Sequence, residues 1–242
     1  MYYSQYFTQS FDFSQTDNSR DLILALFNAC LTTSSRHFES GPQKSPEGIA
    51  WVITQYDLIV HGSLSALEEC QVATKVIDMN RFFITRVFNI TSQSEKIADL
   101  YAQFAVIDYK SRKMQRMVID GAQDFVGQAH LFEKIGLPAK DSMLETQQLV
   151  IQDQDIDENA HVNNKIYLKW ALDHLSFLNQ VAYHLNRIRV KYGSELLKDH
   201  TVCLKCLPID QDAGQTTIQI YNQSLDKEAC RIQIEWSQDI RC

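Results

Sequence analysis

The alternation of apolar and polar positions runs through one order twice along this chain. A short β-like run, Tyr6 to Phe13, is followed by Thr16-Asp17-Asn18-Ser19, residue types that cap helix N-termini. A helical stretch then spans Arg20 to about His37. Its apolar residues Leu22, Ile23, Leu24, Leu26, Phe27, Cys30 and Leu31 leave little polar face, which predicts a helix buried nearly all round. In the second half the run Gln148 to Gln152 leads through a polar segment to Asn163 and Asn164. These are placed to cap a helix from about Lys165 to Tyr183, with Ile166, Tyr167, Trp170, Ala171, Leu175, Leu178 and Val181 as its core face.

After each helix come β-like runs. Ile53 to His61 is followed by Gly62-Ser63, and Leu185 to Tyr192 by Gly193-Ser194. Val72 and Val202 then mark corresponding strands. Arg86 to Ile107 and Gln215 to Trp236 each read as a hairpin, with polar turns at Thr91 to Lys96 and Asn222 to Glu228. Between the halves, residues 120–147 hold Gly121, Gly127, Gly136 and Pro138, the composition of a linker. The expected domains are residues 1–120, a linker over 121–147, and residues 148–242. A long helix followed by antiparallel strands, rather than alternating β and α, predicts an α+β fold. Each half would be a central helix wrapped by an antiparallel β-sheet, and the two together a tandem (double) hotdog.

Composition narrows the class. With 45% hydrophobic and 22% charged residues the chain is globular. The start, Met1-Tyr2-Tyr3-Ser4-Gln5-Tyr6, has no basic segment or apolar run of a signal peptide, and the apolar stretch from Leu22 to Leu31 is too short to span a bilayer. A cytoplasmic protein with no membrane span and reduced thiols is expected. Cys203 and Cys206 form a lone CxxC within a β-like run, where strand packing is the expected role because a zinc site needs about four ligands. No metal or other cofactor is implied. The formal charge of −7 argues against nucleic acid as a partner.

The densest polar cluster is Asp155-Ile156-Asp157-Glu158-Asn159-Ala160-His161-Val162-Asn163-Asn164. If the segment is extended, Asp157, Asn159 and His161 face one way. The first half has no equivalent, as expected of a duplicated fold with one active site. Histidine suits general base work near neutral pH. An asparagine amide can donate to a carbonyl oxygen or orient a water, and the N–H groups of the following helix's first turn offer an oxyanion site. The same residue types also serve simply as turn and cap residues.

The stretch Asp157-Glu158-Asn159-Ala160-His161-Val162-Asn163-Asn164, continuing to Tyr167 and Trp170, closely resembles the signature of the acyl-acyl-carrier-protein (acyl-ACP) thioesterases of plants and bacteria. Trp51-Val52-Ile53-Thr54, Asn80-Arg81-Phe82-Phe83 with Arg86 and Phe88, Ala105-Val106-Ile107-Asp108 with Arg112-Lys113, and Ile234-Glu235-Trp236 resemble family segments in family order. The resemblance implies hydrolysis of fatty acyl-ACP to free fatty acid and carrier protein. It implies catalytic roles for Asp157, Asn159, His161 and, within Lys191-Tyr192-Gly193-Ser194-Glu195, for Glu195. It also implies an acyl-chain pocket in the first half. Plant members carry a cysteine directly after that glutamate; here the position is Leu196, which favours attack by an activated water over a covalent route. The acidic acyl carrier protein would dock on a local basic patch, and Lys110, Arg112, Lys113 and Arg116 form the clearest one. In isolation such a charge run reads as a solvated turn.

Other readings use the same fold: an acyl-CoA thioesterase, a dehydratase, or a non-hydrolytic acyl-thioester-binding module. The fused length argues against a dehydratase built as a dimer of single hotdogs. A regulatory module would need an added DNA-binding helix pair, for which neither end leaves room. Chain-length preference, and whether the chain works alone or as a homodimer, stay open at this point.

Overall fold

The computed structural model describes residues 2–16, 18–42, 47–64, 67–116, 129–137, 144–180 and 182–238. Asp17, Val181 and most of the expected linker, with Gly121, Gly127 and Pro138, lie outside the described residues. The chain forms two compact units: residues 1–15 with 25–133, and residues 16–24 with 134–242.

The first unit opens with β1 (Phe7–Asp12); the helix α1 (Ser19–Glu39) follows, its residues up to Leu24 counted with the second unit and the rest with the first. Asn18 caps α1: its Oδ1 accepts the Asp21 N–H at 3.0 Å, while its amide donates to the Asp21 carboxylate at 2.9 Å. Leu22, Ile23, Leu26, Phe27 and Cys30 are buried, and Asn28 and Thr32 mark a narrow exposed face. Four strands follow: β2 (Ile49–Val60), β3 (Glu69–Met79), β4 (Phe83–Ser92) and β5 (Glu95–Asp108). They pair antiparallel in the order β1-β3-β4-β5-β2. Gln93 and Ser94 close the β4–β5 hairpin at φ 49° and 68°, the left-handed pair that a two-residue turn needs to match strand twist. Leu58, Leu100, Phe88 and Thr74 stand opposite one another across four strands, each no more than 1% exposed.

The second unit repeats the plan. Its strands are β6 (Glu145–Leu149), β7 (Tyr183–Tyr192), β8 (Val202–Cys206), β9 (Gln215–Asn222) and β10 (Lys227–Gln238), with the helix α2 (Asn164–His174) after β6. They pair antiparallel in the order β7-β10-β9-β8-β6. Val190, Ile232, Ile218 and Cys206 form a buried cross-strand row, which makes Cys206 a core residue.

The helix α2 is shorter than its apolar pattern predicts. It stops where Leu175 leaves helical geometry at φ −102°, ψ 41°. A separate 3₁₀ turn, Ser176–Asn179, carries Phe177 and Leu178 into the core. Periodicity alone cannot see this break, because both segments present apolar residues to the same interior. Among the described residues no helix is long and apolar enough to cross a membrane.

Candidate active site

The signature segment does not run extended. The Asp157 N–H donates to the His161 carbonyl at 2.8 Å and the Ala160 N–H to the Asp157 carbonyl at 3.0 Å. Ile156 bridges Val162, and a tight loop closes between them. Ala160 sits at φ 63°, a left-handed conformation that costs a residue with a Cβ about 1–2 kcal/mol. Asp157, Asn159 and His161 therefore do not share one strand face, since alternation holds only while the backbone stays extended. The Asp157 carboxylate serves the loop: its Oδ1 accepts the N–H groups of Asn159 at 2.8 Å and His161 at 3.1 Å. The Asn159 side chain is exposed, and its amide has no partner among the described residues.

Beyond the loop, Asn163 is the N-cap of α2, its Oδ1 accepting the Lys165 N–H at 3.1 Å. Its carbonyl accepts the Ile166 N–H at 2.9 Å. These two first-turn N–H groups are thus already satisfied, and the expectation that they serve an oxyanion is corrected. The cap residue itself occupies them.

The second limb of the site follows β7. Gly193 donates its N–H to the Ala229 carbonyl at 2.8 Å, and Ser194 donates to the Glu228 carbonyl at 3.1 Å. A Cβ at Gly193 would lie 2.6 Å from the Glu228 carbonyl oxygen, so only glycine permits this approach. Two residues on, Glu195 Oε2 lies 3.3 Å from His161 Nε2, with the side chains 42% and 22% exposed. His161 Nδ1 is buried with no hydrogen-bond partner. The ring thus turns Nε2 to the carboxylate and its other nitrogen to the interior.

Leu196 joins the two limbs. Its carbonyl accepts the Val162 N–H at 2.9 Å, and its N–H donates to the Tyr167 hydroxyl at 3.2 Å. Its side chain is fully buried. Burial pushes the Tyr167 phenol well up, which keeps it neutral in this role. The Tyr192 hydroxyl donates to the Asn164 carbonyl at 3.0 Å, with its ring edge-on to Tyr167. All five described cysteines are buried. Burial raises the thiols of Cys70 and Cys206 to about 11 and those of Cys30 and Cys230 as well, leaving them protonated and weakly nucleophilic.

Four of the residues singled out from sequence, Asp157, Asn159, His161 and Glu195, thus belong to two joined loops of the second unit. The cations Lys110, Arg112, Lys113 and Arg116 belong to the first unit, on a turn after β5. There Asp108 accepts the N–H groups of Ser111 and Arg112 through its carboxylate and carbonyl. Lys110, Lys113 and Arg116 are exposed and Arg112 is half-buried. The backbone link at Leu196 and the close approach at Gly193 are not visible in the motif. The one local signal is the glycine directly after an apolar strand.

Two family models match the chain: the acyl-ACP thioesterase N-terminal domain over residues 6–125 and the acyl-ACP thioesterase C-terminal domain over residues 139–238. Among solved structures, the chain resembles an acyl-ACP thioesterase from Bacteroides thetaiotaomicron at 19% identity, with a TM-score of 0.76 over 96% of this chain and 98% of the other. It resembles the 12:0-ACP thioesterase from Umbellularia californica at 16% identity, with a TM-score of 0.78 over 97% and 98%. A MaoC-like dehydratase from Phytophthora capsici has 12% identity and a TM-score of 0.63 over 98% and 97%. At these identities the structures speak for the double hotdog fold and not for a reaction. No curated protein matches the sequence.

Proposed function

The chain belongs to the acyl-ACP thioesterase family and hydrolyses the thioester of fatty acyl-ACP, and from that premise we propose how its residues divide the work. Glu195 is the general base. Its carboxylate is exposed enough to meet a water, whereas His161 Nδ1 is buried and Nε2 faces the carboxylate. His161 holds its proton on Nε2, orients Glu195 and stabilises its charge. Glu195 takes a proton from water as the oxygen attacks the thioester carbonyl carbon. The Asn159 amide donates to the oxyanion that forms. Collapse breaks the carbon–sulfur bond, and Glu195 returns its proton to the departing sulfur, leaving the carrier thiol and the free acid. Asp157 is a positioning residue that fixes the loop by its two backbone bonds.

The observation that carries this reading is the 3.3 Å approach of His161 and Glu195 across the two loops, beside a buried leucine where a thiol nucleophile would stand. The cationic turn at Lys110, Arg112, Lys113 and Arg116 is the docking site for the acidic carrier, because steering needs local charge complementarity rather than net charge. The protein works in the cytoplasm, which suits its free cysteines.

Thiol release from acyl-ACP and from acyl-CoA of the same chain length tests this, before and after iodoacetamide treatment. Preference for the carrier-bound donor, undiminished by alkylation and without acyl transfer to any cysteine, is expected. An acyl group trapped on a cysteine rules out the water mechanism, and equal use of both donors removes the carrier docking site.

A further inference from the structure

Two tyrosines of the second unit cross between the limbs of the site in opposite directions. Tyr167 stands on α2, on the His161 side, and is 3% exposed. Its hydroxyl accepts the Leu196 N–H at 3.2 Å, and that N–H belongs to the peptide bond directly after Glu195. Tyr192 ends β7 on the Glu195 side. Its hydroxyl donates at 3.0 Å to the carbonyl of Asn164, the first residue of α2 and three residues after His161. The two rings meet edge-on, with centroids 5.7 Å apart and planes at 90°. Tyr167 also leans on Trp170 at 5.9 Å. Each limb thus reaches across with a hydroxyl and holds the backbone of the other.

We propose that Tyr167 and Tyr192 form a clasp that sets the separation of His161 and Glu195, and that both are positioning residues for hydrolysis. The proposal rests on the reading of those two residues as the water-activating pair. Their separation is 3.3 Å, whereas N–H···O bonds fall at about 2.7–3.2 Å. The contact therefore has no slack, and a drift of a few tenths of an ångström would end it. The Glu195 side chain is 42% exposed, too open for packing alone to hold it, so its place depends on where its backbone is fixed. Tyr167 fixes the peptide that follows Glu195, and Tyr192 fixes the helix start that follows the His161 loop. Phenylalanine at either position keeps the ring and its edge-on contact and removes only the hydroxyl.

Single-turnover hydrolysis of acyl-ACP by Tyr167→Phe and Tyr192→Phe tests the clasp, each alone and in a Glu195→Gln background. Each single variant should lower kcat by about 10- to 100-fold, the loss expected when a reacting group is misplaced, with KM unchanged. In the Glu195→Gln background neither should lower kcat further, because the group they position is already disabled. Either tyrosine carries the test if the other variant does not fold. Tyrosines that serve only the core would lower Tm and leave kcat of the folded enzyme at the wild-type level, which overturns the proposal. Losses that multiply with Glu195→Gln overturn it as well, since the hydroxyls would then act on something other than Glu195. Near-normal turnover by Glu195→Gln alone would overturn the water-activating pair itself, and the clasp with it; that result is read without either tyrosine variant.

Discussion

Replacing Gly193 with alanine perturbs the site without touching any residue proposed to act in it. The new Cβ would lie 2.6 Å from the Glu228 carbonyl oxygen and 3.5 Å from that of Ala229. Backbone stands on both sides, so no flexible side chain can yield; either the β7 end or β10 must shift. Overpacking of this kind costs about 1–3 kcal/mol. For a chain of this length that corresponds to a fall in Tm of very roughly 2–12 °C. Glu195 is two residues away, and a displacement near 1 Å at a reacting group costs about 10²-fold in rate. Gly193→Ala should therefore lower both Tm and kcat on acyl-ACP, with a kcat loss of about 10- to 100-fold in enzyme that is still folded. Gly136→Ala is the control, since its Cβ meets nothing within 4 Å. A Gly193→Ala protein with wild-type Tm and kcat would refute the claim that this approach positions Glu195.

Leu196→Ala should destabilise the protein by about 2–5 kcal/mol, as for other buried leucines, while kcat of the folded fraction stays near wild type; a large kcat loss at full folding would assign the side chain to chemistry. Asn159→Ala should lower kcat by about 10²–10³-fold with Tm unchanged, because the side chain is exposed; normal kcat removes its amide from the oxyanion role. The double charge reversal Lys113→Glu with Arg116→Glu should raise KM for acyl-ACP and leave hydrolysis of a small carrier-free thioester unchanged. Added salt should weaken the wild type more than this variant. Equal losses on both substrates would mean that the turn supports the fold instead.

The repeated order of helix and strands was legible because each element carries its own period and its own punctuation. Asn18 and Asn163 cap the helices at the places their residue types indicate. The extent of α2 was not legible: Leu175, Phe177 and Leu178 are apolar and buried whether helix or 3₁₀ turn carries them. At the site, the residue types pointed to acyl chemistry but not to its geometry. The motif spacing reads as a strand, yet the Asp157 carboxylate folds it into a loop by binding two backbone N–H groups. A single residue, Leu196, fastens that loop to the one bearing Glu195 through its backbone, and a backbone bond leaves no mark in side-chain identity.

A double-mutant cycle on His161 and Glu195, read as kcat on acyl-ACP at single turnover, tests the central claim most directly. If the two act as one unit, His161→Ala and Glu195→Gln each lower kcat by about 10²–10⁴-fold. The double variant should then lose little more than the worse single variant, since removing either partner already disables the unit. Losses that multiply in the double variant, or near-normal turnover in either folded single variant, would contradict a water activated by this pair.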